Sequence, residues 1–203
     1  MTMLALQTTI PLADPLPLPA PPWLMWSLLM LTFAVHVVAM NFVLGGSIIA
    51  LTARLRRSDD DARLAKWIGA VLPTIVAATI TFGVAPLLFM QVLYGRLFFS
   101  SAVLMAWWWL AVVPLLIIGY YGTYLIAMKR AFAGAAAAVA MIFATIAFIY
   151  SNNMSLMLRP ERFLPMYVSD ARGVQLNLAD PTLIPRYLHM LLGAIAVAGM
   201  CVA

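Results

Sequence analysis

The sequence predicts an all-α integral membrane helix bundle of about five transmembrane helices, with the N-terminus outside. Three observations predict it. The chain is 65% hydrophobic and only 9% charged, where a soluble domain averages roughly 25% charged residues. Its mean hydropathy is +1.01. Its apolar residues fall into five segments, each long enough to cross a hydrocarbon core, which takes roughly 20 helical residues.

Residues 1–21 form a Pro-rich extracytoplasmic tail. They hold Pro11, Pro15, Pro17, Pro19 and Pro21 and no Lys or Arg, so they lack the positive n-region of a secretory signal peptide and favour an extended conformation. The first span covers residues 23–55, opening on Trp23 and Trp26 at the interfacial belt position. A charged loop follows, with Arg54, Arg56, Arg57, Asp59, Asp60, Asp61, Arg63 and Lys66. The second span covers 67–94, and Gly95 with Arg96 marks a tight turn. The third covers 100–128 and ends on Lys129 and Arg130. The fourth, 131–150, is rich in small residues from Gly134 to Ala140, which let helix backbones approach closely. A polar loop, 151–180, leads into the fifth span, 181–203. Residues 22–203 thus form one transmembrane bundle. The fifth span stops at Ala203 without a polar flank, and the chain is expected to continue beyond it.

Charge orients the bundle. The loops after spans one and three carry Arg54, Arg56, Arg57, Arg63, Lys66, Lys129 and Arg130. The opposite side carries Arg96, Arg159, Arg162, Arg172 and Arg186. The positive-inside rule puts the first set in the cytoplasm. The net charge of +5 is read as orientation information, and no nucleic-acid partner is expected. One cysteine, Cys201, excludes an intrachain disulfide, a zinc cluster and a c-type haem attachment.

Two histidines, His36 and His189, are the only ones in the chain, and both fall inside spans. An ionisable residue within a membrane helix is a functional-site hypothesis. The competing reading is a histidine bonded to a Ser, Thr or carbonyl of a neighbouring helix. Both histidines are expected in the half of the membrane nearer the 151–180 loop. Gly45 and Gly193 lie near them, small enough to admit a flat porphyrin, although glycine also serves plain helix packing. No acid lies within the spans to form a proton relay, whereas haem iron needs only an imidazole, or an imidazole and a Met. Two histidines alone cannot fill a four-coordinate zinc site. Met105, Met154 and Met157 are candidates for a second axial ligand. Trp107, Trp108 and Trp109 could pack on a porphyrin face, with core packing the favoured reading.

Four blocks in order resemble the N-terminal half of subunit I of the cytochrome bd quinol oxidases. They are His36 with Gly45; Phe82, Gly83, Val84 and Ala85 followed by Met90, Gln91 and Gly95; Ser151, Asn152 and Asn153; and Arg186, Tyr187, Leu188 and His189. The resemblance spans about residues 22–203. It implies that His36 and His189 are haem-iron ligands and that Arg186 pairs with a haem propionate, against an alternative of interfacial snorkelling. It implies haem b, one or two, or a single bis-histidine site, and a quinone at an interface with a partner.

Where the family carries Glu, this chain has Gln91, and its third span, including 105–114, has no acid. The expectation is therefore a divergent membrane cytochrome b that does not reduce oxygen by itself. It would pass electrons between the quinol pool and an outer-side acceptor. Its partners would be the lipid bilayer and other redox subunits, including a cytochrome c, in a bacterial inner membrane. The alternative is a non-catalytic structural subunit of a respiratory complex that has lost its haems.

Overall fold

The computed structural model describes residues 17–56, 58–128 and 132–203. Most of the Pro-rich tail and the Lys129–Arg130 pair lie outside the described residues. Among the described residues there are six α-helices: α1 (Pro22–Arg56), α2 (Asp59–Leu104), α3 (Ala106–Ala127), α4 (Phe132–Met157), α5 (Phe163–Ser169) and α6 (Leu183–Val202). Five of them, all but α5, are long and apolar enough to cross a membrane, and no strand occurs among the described residues. The all-α membrane bundle is what the composition predicts.

The charged stretch between the first two spans is almost entirely helix rather than loop. α1 ends on Arg54 and Arg56, and α2 opens on Asp59, Asp60 and Asp61 behind the N-cap Ser58. The Ser58 hydroxyl accepts from the Asp61 amide at 3.1 Å. Each charge thereby sits at the helix end whose dipole it complements.

Three boundaries differ from the sequence expectation. The turn expected at Gly95–Arg96 is a kink at Tyr94 (φ −127°, ψ 24°), after which the helix resumes to Leu104. The chain breaks at Met105 instead, and the third span starts at Ala106. The physical reason is burial. Phe98, Ser101, Leu104 and Met105 are all sequestered, and Phe98 stacks edge-on against Trp109, with ring centroids 5.6 Å apart. Residues 95–104 therefore form a short helical cap folded onto the end of α3 and α4. The third difference is that α4 runs on to Met157, so Asn152, Asn153 and Ser155, expected in a loop, are buried on a helix.

The break at Met105 is closed by the 170–176 loop. The Gln175 amide donates to the Leu104 carbonyl at 3.1 Å, and the Trp107 amide donates to the Gly173 carbonyl at 3.0 Å. These bonds satisfy helix-end groups that would otherwise be left without partners. Gly173 has φ +75°, and a Cβ there would lie 2.9 Å from the Ala106 Cβ, so both conformation and space demand glycine. The loop is clamped beside it by Asp170 and Arg172, whose Nη2–Oδ2 distance is 2.8 Å.

Packing falls into three clusters. Leu104, Met105, Val112, Ile149, Leu156, Phe163 and Met166 fill the loop end. Ala50, Ile68, Leu72, Ile126, Ala136 and Val139 fill the opposite end. Leu44, Ala147 and Ala194 join α1, α4 and α6 between them. At that junction a Cβ on Gly45 would collide with the Ala194 carbonyl, and would lie 2.8 Å from the Ala198 Cβ.

Two outcomes follow from these contacts. Gly45→Ala should destabilise the bundle by about 1–3 kcal/mol through overpacking, whereas Gly134→Ala, with nothing within 4 Å of its new methyl, should be neutral or stabilising. Thermal unfolding in detergent measures both. The second outcome concerns pH. The Arg172 guanidinium bonded to Asp170 holds its carboxyl down at about 2. A depressed carboxyl pKa contributes stability above its unfolded value of about 3.9, lost as pH falls through the folded value. Protection of the 170–175 amides, corrected for intrinsic exchange, should therefore be flat from neutral pH to about 4.5. It should fall between about 4 and 2, and Arg172→Gln, which removes the shift, should lower protection at neutral pH and flatten this dependence.

Candidate functional site

His36 projects from α1 onto α2. Its Nδ1 lies 3.0 Å from the Thr79 carbonyl oxygen. A carbonyl can only accept, so the proton resides on Nδ1 and the Nε2 lone pair is left for another partner. Gly83, one helical turn on from Thr79, makes this seat possible. A Cβ at position 83 would come within 2.8 Å of the His36 Cε1 and 3.0 Å of its Nδ1. The imidazole is half-buried, resting on bare backbone where any larger residue would displace it.

His189 is placed differently. It is exposed on α6, on a stripe with Pro185, Leu192, Ala196 and Met200. It makes no hydrogen bond to the described residues. Gly193, four residues on, has nothing within 4 Å of where a side chain would begin. A neutral imidazole in an apolar medium still needs partners for its N–H and its lone pair. This face of α6 is therefore polar at one point, open beside it and uncovered.

Span alternation makes α1 and α6 parallel, and the Gly45–Ala194 contact fixes their relative height. His36 stands nine residues above Gly45 and His189 five above Ala194. At ~1.5 Å per residue their depths differ by only about 6 Å. Direction separates them. At about 100° per residue, His36 lies about 180° round α1 from Gly45, and His189 about 140° round α6 from Ala194. The imidazoles point away from the shared helix contact, so a single iron bridged by both does not fit this arrangement.

Gly45 serves helix packing, the alternative left open for it, because α6 occupies the space beside it. Arg186 is exposed and reaches toward the Ser155 hydroxyl at 3.5 Å. No carboxylate among the described residues lies within ion-pair distance of it. Met105 is fully buried at the loop end, 4.0 Å from the Asn153 amide nitrogen. Trp109 packs between Phe98 and Tyr150, and the Trp108 indole donates to the Val174 carbonyl at 2.9 Å. These two tryptophans are structural. Trp107 is exposed.

Residues that sequence reasoning passed over hold the loop end together. The Asn152 side-chain oxygen accepts from the Asn177 amide at 2.9 Å. The Asn177 side chain accepts from Arg162 and faces Asp180. Asp180 accepts from both the amide and the hydroxyl of Thr182, each at 2.8 Å. The Thr182 amide, then the Thr182 hydroxyl and the nearby Arg159 and Arg186, lower the Asp180 pKa. Asn153 donates to Ser101 at 3.1 Å. The only hint in the sequence was two adjacent asparagines ending an apolar run. No group of three or more His, Cys, Asp or Glu side chains among the described residues could hold a bare metal ion.

No protein-family model, curated protein or solved structure matches this chain.

Each histidine has a ring nitrogen without a partner among the described residues, which fits the donor chemistry of haem iron. Space for a flat group is open beside His189 at Gly193, whereas Gly83 lies under the His36 ring and Gly45 under α6. The expected outcome for the first site is specific. Gly83→Ala should break the Nδ1–Thr79 bond and move the ring nitrogen resonances of His36 in ¹⁵N spectra of histidine-labelled protein, leaving those of His189 in place. With only two histidines in the chain, both signals are assignable, and unchanged His36 resonances would refute the seat described.

Proposed function

We propose that this chain is a membrane-embedded b-type cytochrome subunit that passes electrons between the quinol pool and an acceptor on the side of the 158–182 segment. The observation that carries the reading is the state of His36. Its ring is oriented by a carbonyl on Nδ1, leaving Nε2 available, the arrangement in which a protein presents imidazole to a metal. His189 supports it as a second, separate nitrogen at nearly the same depth. The resemblance to cytochrome bd subunit I points to the same two residues.

In this reading His36 and His189 each hold a haem b. Haem supplies one-electron transfer at a potential set by axial ligand, burial and hydrogen bonding. The chain's own residues do the rest. Thr79 fixes the His36 tautomer and makes the ring a stronger donor. Gly83 sets the height of the ring over α2. Gly193 keeps the flank of His189 clear. Arg186, one turn before His189 and with no carboxylate of its own, is free to meet an anionic substituent such as a propionate. The spans carry no carboxylate to deliver protons, which favours electron passage over oxygen reduction. A quinone would bind where α1 or α6 meets a partner subunit, and a cytochrome c is the simplest soluble acceptor.

A second reading, a structural subunit without haem, rests on the exposure of His189, since a partner helix could satisfy it equally well. Absorption spectroscopy separates the two. The purified protein or its complex should show a reduced b-type α-band that loses part of its intensity in His36→Ala and a different part in His189→Ala. A colourless complex of full stoichiometry, or a band that survives both substitutions, refutes the cytochrome reading.

A further inference from the structure

Between the end of α4 and the start of α6 lies a cavity of about 220 Å³ lined by Arg159, Glu161, Arg162, Ala179, Asp180 and Pro181. It is distinct from both histidines. It is smaller than the roughly 300–1,000 Å³ of pockets for drug-sized ligands, so it suits a compact polar group and not a porphyrin.

Its charges are incompletely matched. Asp180 is buried and already accepts from Thr182 twice. Arg159 approaches Glu161 and Asp180 only at 3.8 Å each, beyond hydrogen-bond length. Arg162 spends its contact on the neutral Asn177 side chain, and no carboxylate among the described residues lies within ion-pair distance of it. Arg186 adds positive potential at Asp180. Three guanidiniums thus surround two carboxylates, and the two lining the cavity have donors to spare. Guanidinium forks match phosphate oxygens in geometry as well as charge.

Depth identifies the source of the phosphate. The cavity opens two residues beyond the last turn of α4 and two before the first turn of α6, where two spans leave the hydrocarbon. The same segment exposes Leu158, Leu164, Tyr167 and Val168, large apolar side chains beside charged ones, as in a segment lying in the membrane interface. We propose that this cavity is a phospholipid headgroup site, with the lipid phosphate held between Arg159 and Arg162 and the acyl chains extending into the bilayer beyond the ends of α4 and α6.

The full chain, purified in maltoside detergent and delipidated, should be titrated with phosphatidylglycerol in the same micelles and the bound lipid counted by native mass spectrometry. One lipid per chain should remain bound at low mole fraction. Arg159→Gln and Arg162→Gln should each weaken retention at least tenfold, and Arg172→Gln, which does not line the cavity, should not. Retention in Arg159→Lys should be intermediate, which keeps the test informative if Arg162→Gln fails to fold. Equal retention in wild type and Arg159→Gln would overturn the proposal. So would full displacement by millimolar inorganic phosphate, which would assign the cavity to a free anion.

Discussion

The structure depends most on one constraint: polar groups at the loop end are out of water and must find one another. Asn152 and Asn153 lie fully buried on the last turns of α4. In that setting an unmatched amide costs on the order of 1–3 kcal/mol. The arrangement of the loop follows from meeting this demand. Asn177 is pinned to Asn152, Asp180 caps the entry to α6 through Thr182, and Ser101 brings the 95–104 cap onto Asn153. Trp109 Nε1, Asn152 Nδ2 and Asn153 Oδ1 have no protein partner. The knot is thus satisfied in most of its polar atoms, with three positions where water or another polar group can bind.

That constraint also sets the heights of the histidines. Helices in lipid gain little from apolar burial against one another, so close backbone approach and polar pairing decide their register. The loop-end knot fixes where α6 begins, and the Gly45–Ala194 contact fixes where α6 crosses α1. His189 is carried passively by those two anchors. His36 is held actively, by Thr79 and by the absence of a side chain at Gly83. The two residues look alike in the sequence, yet one is seated and the other is presented.

Much of the fold was legible because a membrane span leaves a one-dimensional signal. Length and hydropathy located five spans, and four of the five began within about six residues of their helices. The failures have local causes. Gly95 followed by Arg96 reads as a turn, but no positive φ is needed there, and Phe98 and Leu104 gain more by burial on a continuing helix. Ser151, Asn152 and Asn153 read as the start of a loop because polarity usually marks exposure. Here the polar groups pair across helices, which no single-strand pattern reveals. For the site, the sequence supplied the two histidines but not Thr79, whose backbone carbonyl carries no side-chain signature, nor the role of Gly83.

The contrast between the histidines bears on how an electron carrier would be built. A ligand that must hold a fixed potential needs a fixed tautomer and orientation, and a carbonyl on Nδ1 supplies both. His36 has that carbonyl within its own chain. His189 has no such partner among the described residues, and its face of α6 is open at Gly193. Two sites at similar depth but pointing apart cannot share one metal. If each held a haem, as proposed, electron exchange would run sideways through the bundle, edge to edge across α1 and α6. In the proposed reading, the chain itself orients the ligand at the α1–α2 seam, and the ligand on the open face of α6 would need a partner to orient it. Assembly with a partner would then determine both the geometry and the potential of the second site.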